Sequence, residues 1–171
     1  MKKRTAFIGL ILSFIQIGHP LLIKTGIVSS IAGLMLSFPE KINAETYKFY
    51  FDRAYNKGEK DDYYGAIADY TKAIEINPQN GNAYYNRGWN KGKLKDYYGA
   101  IADYTKAIEI NPQYGNAYYN RGWSKGKLKD YYGAISDYNK ALEIDPNNKS
   151  AYKNRGVSKR KLKDNYGAIS D

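Results

Sequence analysis

The order of apolar and polar residues beyond the N-terminal region has the period of an α-helix. In the segment YYGAIADYTKAIEINP, the side chains of Ala100, Tyr104 and Ile108 recur every four residues and therefore share one helix face. The preceding segment, AYYNRGWNKGKLKD, shows the same spacing at Ala83 and Arg87, with a more polar stripe. The pattern predicts two consecutive helices joined by a short turn.

Sequence signals mark both ends of the second predicted helix. Asp96 stands just before it, where a carboxylate can accept hydrogen bonds from the free amides of the first turn. Pro112 follows it, and proline cannot continue a helix. The same two signals recur at Asp62 and Pro78 and at Asp130 and Pro146.

The helix pair recurs with a period of 34 residues. The letters GNAYYNRGW occupy residues 81–89 and again 115–123, and residues 62–79 are identical to residues 96–113. Repeats of this length indicate a stack of supersecondary units, in which each unit covers the apolar face of the next. We divide this part of the chain into repeats 47–80, 81–114 and 115–148 and a partial fourth repeat, 149–171.

The N-terminal region has a different character. Residues 1–4, MKKR, are basic, and residues 5–38 are apolar except for a few polar positions and one charge, at Lys24. A basic start followed by an apolar stretch is typical of an export signal, which here would be cleaved after Ala44. The stretch is also long enough for a retained membrane anchor. We therefore expect residues 1–44 to be either a signal peptide or a membrane anchor.

Either interpretation predicts a location for the repeats. The positive-inside rule leaves the basic N-terminus in the cytoplasm, so a single span puts residues 45–171 outside the cytoplasm. A pair of short re-entrant helices would instead return the repeats to the cytoplasm, beside the membrane. His19 lies within the apolar stretch next to Pro20, and we interpret it as a neutral side chain near a helix break.

Composition excludes several classes of protein. The chain has no cysteine and one histidine, which rules out disulfides, thiolate metal sites and most nucleophile–base pairs. It has no glycine-rich phosphate loop. We therefore expect no catalytic residues, no metal and no cofactor. The net charge of +10 lies partly in the N-terminal region, so the repeats carry only a mild basic excess.

The paired helices and their fixed letters resemble the tetratricopeptide repeat. The family pattern places aromatic residues, small residues and a proline at set positions of a 34-residue unit. The second repeat carries Tyr84, Gly88, Tyr97, Ala100, Tyr104, Ala107 and Pro112; the third carries Tyr118, Gly122, Tyr131, Ala134, Tyr138, Ala141 and Pro146; the first carries Tyr50, Ala54, Tyr63, Ala66, Tyr70, Ala73 and Pro78.

The resemblance implies an all-α fold, a right-handed superhelical solenoid of helix-turn-helix hairpins that follows the N-terminal signal or anchor. It implies that Tyr84, Tyr104, Tyr118 and Tyr138 are core residues. The repeat period also places residues 165–171 in a second helix of the fourth repeat. Ala54 replaces the usual glycine of the first repeat, so we expect its two helices to sit slightly farther apart.

Basic residues occupy positions where the family has leucine-like or aromatic side chains. They are Arg87, Arg121, Arg155, Lys91 and Lys125. A buried cation needs a partner, and aspartates recur with the same period at Asp69, Asp103 and Asp137. We hypothesise that these carboxylates pair with the buried cations.

The resemblance also implies a concave groove lined by the first helix of each repeat. Carried over residue by residue, the candidate peptide-binding positions are Asn82, Tyr85, Trp89, Lys93, Asn116, Tyr119, Trp123, Lys127, Lys153 and Lys161. Gly92 and Gly126 would leave room above an aromatic floor, and the first repeat offers Tyr55 and Glu59 at matching positions. The alternative for the two tryptophans is that they only pack between first helices.

These positions suggest a function in binding. We expect a non-catalytic scaffold that binds an extended peptide or partner segment with acidic and apolar residues, and no small-molecule substrate. One alternative is binding of single-stranded nucleic acid, which also uses aromatic residues beside basic ones. Another is self-association through the incomplete fourth repeat. Contact with a membrane would involve residues 5–38.

Overall fold

The computed structural model describes the backbone of residues 27–170 and the side chains of residues 43–163. The chain divides into two compact units, Met1–Ala44 and Glu45–Asp171. The described backbone is helical apart from short turns, so the prediction of an all-α fold is confirmed for it. Its helices are α1 (Ile27–Glu59), α2 (Tyr63–Ile76), α3 (Gly81–Lys93), α4 (Tyr97–Ile110), α5 (Gly115–Lys127), α6 (Tyr131–Ile144) and α7 (Lys149–Ser170).

Most of the predicted signal or anchor lies outside the described residues. Residues 1–26, which include His19, are not described, and residues 27–44 belong to α1. This helix begins well before Tyr47, where the sequence placed the start of the first repeat. No helix within residues 27–170 combines the length and the apolar character that crossing a lipid bilayer requires. The signal or anchor therefore stays a prediction.

Consecutive helices of the repeats pack against one another. Helix α3 contacts α4 and α5 contacts α6 within their repeats, and the contacts between repeats join α2 to α3, α4 to α5 and α6 to α7. The first helices also touch directly, α3 with α5 and α5 with α7. This is a tetratricopeptide-like stack, as the sequence predicted, in which each repeat is completed by its neighbour.

The turn inside a repeat uses one aspartate to end a helix and to start the next. Lys95 adopts a left-handed φ of 64°, and the Asp96 amide donates to the Lys91 carbonyl at 2.9 Å, which closes α3. The Asp96 carboxylate then accepts a hydrogen bond from the Gly99 amide at 2.9 Å and begins α4. The predicted caps at Asp62, Asp96 and Asp130 are thus confirmed.

The core consists of alanines at the helix crossings and tyrosines between them. Tyr104 and Tyr138 are buried, as expected, whereas Tyr84 and Tyr118 are only half-buried against the same clusters. The fully buried alanines, each with no exposed surface, are Ala54, Ala66, Ala73, Ala83, Ala100, Ala107, Ala117, Ala134, Ala141 and Ala151. Small side chains at these points let the helix backbones approach closely, and the tyrosine rings fill the adjacent gaps.

Ion pairs join the two helices in each of the first three repeats, which confirms the hypothesis for Asp69, Asp103 and Asp137. The buried Asp103 carboxylate accepts hydrogen bonds from Arg87 at 2.7 and 2.9 Å and binds Lys91 at 2.8 Å. Arg87 also donates to the Thr71 hydroxyl of the preceding repeat at 3.0 Å. The corresponding groups are Arg53, Lys57 and Asp69 in the first repeat and Arg121, Lys125 and Asp137 in the third.

The fourth repeat differs from the prediction. Helix α7 runs without interruption from Lys149 to Ser170, so the prediction of a separate second helix in the fourth repeat is wrong for the described residues. In the first three repeats the turn follows a residue with a left-handed φ, which is Asp61, Lys95 or Lys129, whereas the equivalent Lys163 lies within α7. Arg155 donates to the Asn139 side chain at 2.7 Å, not to an aspartate of the described side chains.

Candidate ligand-binding groove

Two cavities of the repeats lie between successive first helices. The first cavity, of about 140 Å³, lies between α1 and α3, and Tyr55, Tyr70 and Trp89 are among its lining residues. The second cavity, of about 460 Å³, lies between α3 and α5. Its lining contains Trp89, Gly92, Lys93, Lys95, Tyr97, Tyr104, Tyr119, Asn120, Trp123 and Lys127. We refer to the two cavities together as the groove.

Helical spacing brings the groove residues of one helix together. Tyr85, Trp89 and Lys93 follow one another at intervals of four residues on α3, so they lie on one side of the helix. The same spacing places Tyr119, Trp123 and Lys127 along α5. Both sets line the groove because α3 and α5 are neighbours in the stack.

Each tryptophan is half-buried and held on two sides. The ring of Trp89 meets Tyr63 edge to face, with the centroids 6.1 Å apart, and the Lys93 ammonium lies 4.6 Å from the Trp89 ring centroid. Trp123 meets Tyr97 at 5.7 Å, and Lys127 lies 4.9 Å from the Trp123 ring centroid. The tryptophans therefore both pack against the preceding second helix and line the second cavity.

Hydrogen bonds between repeats fix the floor of the groove. The Asn120 side-chain amide donates to the Tyr85 hydroxyl at 2.9 Å, and Asn154 donates to Tyr119 at 3.0 Å. Burial raises the pKa of Tyr104 and Tyr85 above that of a free tyrosine, so both hydroxyls stay neutral at physiological pH. The floor thus presents aromatic faces and neutral hydroxyl groups.

Two sets of lysines on the first helices differ in their ion pairing. Lys57, Lys91 and Lys125 bind the buried aspartates. Lys93 and Lys127 are exposed and form no ion pair with any described side chain, although each lies over a tryptophan ring. Lys95 also lines the second cavity and forms no ion pair with a described side chain, so this cavity carries three uncompensated positive charges beside its aromatic surface.

The structure brings together some of the predicted site residues and leaves others apart. Trp89, Lys93, Tyr119, Trp123 and Lys127 line the second cavity, and Tyr85 lines the first. The remaining candidates, Asn82, Asn116, Lys153 and Lys161, are exposed and line neither cavity.

Sequence reasoning missed several groove residues. Asn120, Tyr97 and Lys95 line the second cavity but were not predicted as binding residues. The signal for Asn120 was present, because Asn86, Asn120 and Asn154 recur with the 34-residue period, and the first two directly follow Tyr85 and Tyr119. Among the described residues, no cluster of histidine and acidic side chains is arranged to hold a metal ion.

Sequence comparisons match most of the repeat region. A family model of the tetratricopeptide repeat matches residues 81–114 and 115–148, and a model described as a TPR repeat matches residues 59–92. Together the matches extend over residues 59–148, which is more than half of the chain. None of the curated proteins compared with the chain matches it.

Solved structures with a similar fold are tetratricopeptide repeat domains. The TPR domain of Arabidopsis OM64 has 28% identity and a TM-score of 0.67; the match covers 69% of this chain and 98% of that one. The first TPR of Spaghetti (RPAP3), bound to the HSP90 peptide SRMEEVD, has 27% identity and a TM-score of 0.68, covering 69% and 94%. The second TPR domain of human RPAP3, in complex with the HSP70 peptide SGPTIEEVD, has 28% identity and a TM-score of 0.64, covering 70% and 97%.

Proposed function

Because the chain belongs to the tetratricopeptide repeat family, we propose that it is a non-catalytic scaffold that binds an extended peptide segment of a partner protein in its groove. The observation that carries this proposal is the second cavity, where Trp89 and Trp123 line one surface together with three unpaired lysines, two of which lie over the tryptophan rings. Aromatic side chains contribute most to binding when a ligand covers them.

The charge of the groove indicates which peptides fit it. Lys93 and Lys127 attract carboxylates, and the tryptophan rings offer contact area for apolar side chains. The two RPAP3 domains that resemble this fold hold peptides ending in EEVD, which combine acidic and apolar residues. Their ligands support an acidic, partly apolar peptide as the ligand class of this chain.

The test is a selection of random peptides from a display library on the immobilised full-length chain. We expect enrichment of peptides that carry acidic and apolar residues. Replacing Trp89 and Trp123 together by alanine should weaken a selected peptide about thirtyfold or more, since two central aromatic contacts are lost. Binding is measured by fluorescence polarisation, and circular dichroism checks that helicity persists.

A matched control replaces two tyrosines that are also separated by 34 residues but lie outside the groove. Tyr64 and Tyr98 are 77% and 76% exposed and line neither cavity. Replacing both by alanine removes a similar aromatic area and should leave the peptide affinity unchanged. Unchanged affinity in the double tryptophan variant would exclude the groove as the binding site.

Single-stranded nucleic acid is the second candidate ligand, because lysines stacked over tryptophans suit bases as well as peptides. A salt titration with an oligothymidylate separates the two candidates. If nucleic acid is the ligand, the affinity for the oligothymidylate should fall steeply with rising salt. The affinity for a peptide held by two lysines should depend only weakly on salt.

Light scattering of the chain tests the third candidate, self-association through the fourth repeat.

We also infer a location from the N-terminal sequence. Its basic start and apolar stretch support export or membrane anchoring, with the repeats outside the cytoplasm. Sequencing the N-terminus of the protein from fractionated cells measures both properties. A chain that starts after Ala44 in a soluble extracytoplasmic fraction would identify a cleaved signal.

A further inference from the structure

The two cavities of the groove occupy equivalent positions in successive repeats, but the charged side chain at one lining position has the opposite sign. A shift of 34 residues converts Tyr55 and Glu59 of the first cavity into Trp89 and Lys93 of the second. The shared aromatic lining is otherwise retained at equivalent positions. The first cavity therefore has an acidic group where the second has a basic one.

The carboxylate of the first cavity is available to a ligand. Glu59 is exposed and forms no ion pair with any described side chain. Around it lie four aromatic side chains, those of Tyr55, Tyr70, Tyr85 and Trp89. Aromatic faces attract cations, and a carboxylate beside them adds a full negative charge.

A second acceptor of the first cavity lacks a partner. Asn90 is 2% exposed, and its side-chain amide donates to the Asn86 carbonyl at 2.7 Å, while its Oδ1 has no hydrogen-bond partner among the described residues. An unpaired buried acceptor is costly, so a donor at this point is favourable. Gly58 packs directly against this oxygen, since a Cβ on Gly58 would lie 3.0 Å from Oδ1 and would displace the Asn90 side chain.

This acceptor is specific to the first cavity. The equivalent residues of the next repeats are Ser124 and Ser158, whose hydroxyls donate to the Asn120 and Asn154 carbonyls at 2.9 Å. Neither serine presents an unpaired buried oxygen in the described structure. The unpaired amide oxygen and the carboxylate thus occur together, in the one cavity of the two that lacks a lysine.

We propose that the first cavity binds a lysine side chain of the partner peptide. An ammonium group has three donors and no acceptor, so it matches the Glu59 carboxylate, the Asn90 Oδ1 atom and the aromatic faces. This inference rests on the proposed function, because the same peptide places its carboxylates at Lys93 and Lys127. The peptide then lies in one direction, with its basic residue toward the first repeat and its acidic residues toward the third.

The test extends the peptide selection on the full-length chain. Wild-type protein should enrich peptides that carry a lysine at a constant separation from an acidic pair, always on the same side of that pair. Glu59→Lys should abolish the lysine preference while acidic residues stay enriched. Glu75→Lys is the control, because it makes the same charge change at an exposed position of α2 outside both cavities.

A second measurement compares a selected peptide with its norleucine analogue, which keeps the apolar stem and removes the charge. For wild-type protein, the norleucine analogue should bind about tenfold more weakly, as expected for a lost charged hydrogen bond. In Asn90→Ser, a residue that this fold already accepts at Ser124, the difference between the two peptides should shrink. In Glu59→Gln it should nearly disappear.

The outcomes separate this inference from the proposed function. Enrichment of acidic peptides with no lysine preference, or equal binding of the lysine and norleucine peptides, overturns the lysine site and leaves the proposed function intact. Failure to enrich any peptide overturns the proposed function itself, and the lysine site with it.

Discussion

At the scale of single residues, two glycines at equivalent repeat positions differ in how closely other atoms pack around them. Gly88 and Gly156 occupy the same position of the second and fourth repeats. A Cβ on Gly88 would lie 3.0 Å from the Tyr104 ring, 3.2 Å from the Ala100 carbonyl oxygen and 3.2 Å from the Asp103 Cβ. A Cβ on Gly156 would meet no atom of the described residues within 4 Å.

We therefore expect opposite effects from the same substitution. Gly88→Ala should lower the free energy of unfolding by about 1–3 kcal/mol, because the methyl group overpacks the helix crossing. Gly156→Ala should raise it by up to about 1 kcal/mol, since alanine favours an open helix position. Urea denaturation measures both. Stabilisation by Gly88→Ala would show that the crossing can relax around a methyl group.

Asp69 makes the stability of the fold depend on pH in the acidic range. Hydrogen bonds from Arg53, and secondly from Lys57, outweigh burial and lower the pKa of Asp69 to about 2. The carboxylate therefore stabilises the fold at any pH above its unfolded pKa of about 3.9, and this contribution is lost as the pH falls toward 2.

We expect the free energy of unfolding to fall by roughly 2 kcal/mol between pH 4 and pH 2 from this group alone. Urea titrations at several pH values measure the slope. Asp69→Asn should be less stable at pH 6 and show a shallower fall below pH 4. A slope as steep in the variant as in the wild type would mean that other carboxylates cause the acid sensitivity.

At the scale of helices, ion pairs act across element boundaries. Arg87 joins α3 to Asp103 of α4 and to Thr71 of α2, so a single guanidinium contacts two repeats. Removing the carboxylate leaves the largely buried Arg87 and Lys91 side chains unpaired beside each other. An uncompensated buried charge is far more costly than a lost surface pair.

Asp103→Ala should accordingly destabilise the protein by about 3–5 kcal/mol. Asp52→Ala is the control, because Asp52 pairs with Lys48 on an exposed helix surface and contributes little. Thermal melting followed by circular dichroism measures both variants. Equal melting temperatures of the two would refute a structural role for the buried carboxylate.

The helices also show where sequence reasoning succeeds and where it fails. Capping aspartates and apolar stripes have local causes, and these predictions were confirmed. The wrong predictions fall at the ends of the array. Helix α7 continues where the repeat pattern predicts a turn, although residues 161–164 have the same letters, KLKD, as the turns at 93–96 and 127–130. The local sequence therefore does not predict this difference.

At the scale of the whole molecule, the groove could be predicted in part. The resemblance selected Trp89, Trp123 and the lysines beside them, because their positions follow from the repeat. It also selected Asn82 and Asn116, which are exposed and line neither cavity. The unpaired oxygen of Asn90 was beyond prediction, since it depends on which nearby groups the side chain can reach once the helices have packed.

The hydrogen bonds that join successive repeats are themselves repeated. Arg87 reaches Thr71, and Arg121 reaches Thr105, through the same contact displaced by one repeat. An extra copy of a repeat inserted between two existing repeats would therefore meet surfaces on both sides that match its own. Recombination between such repeats can add or remove one whole repeat at a time. Each added repeat would also add one cavity for a ligand residue.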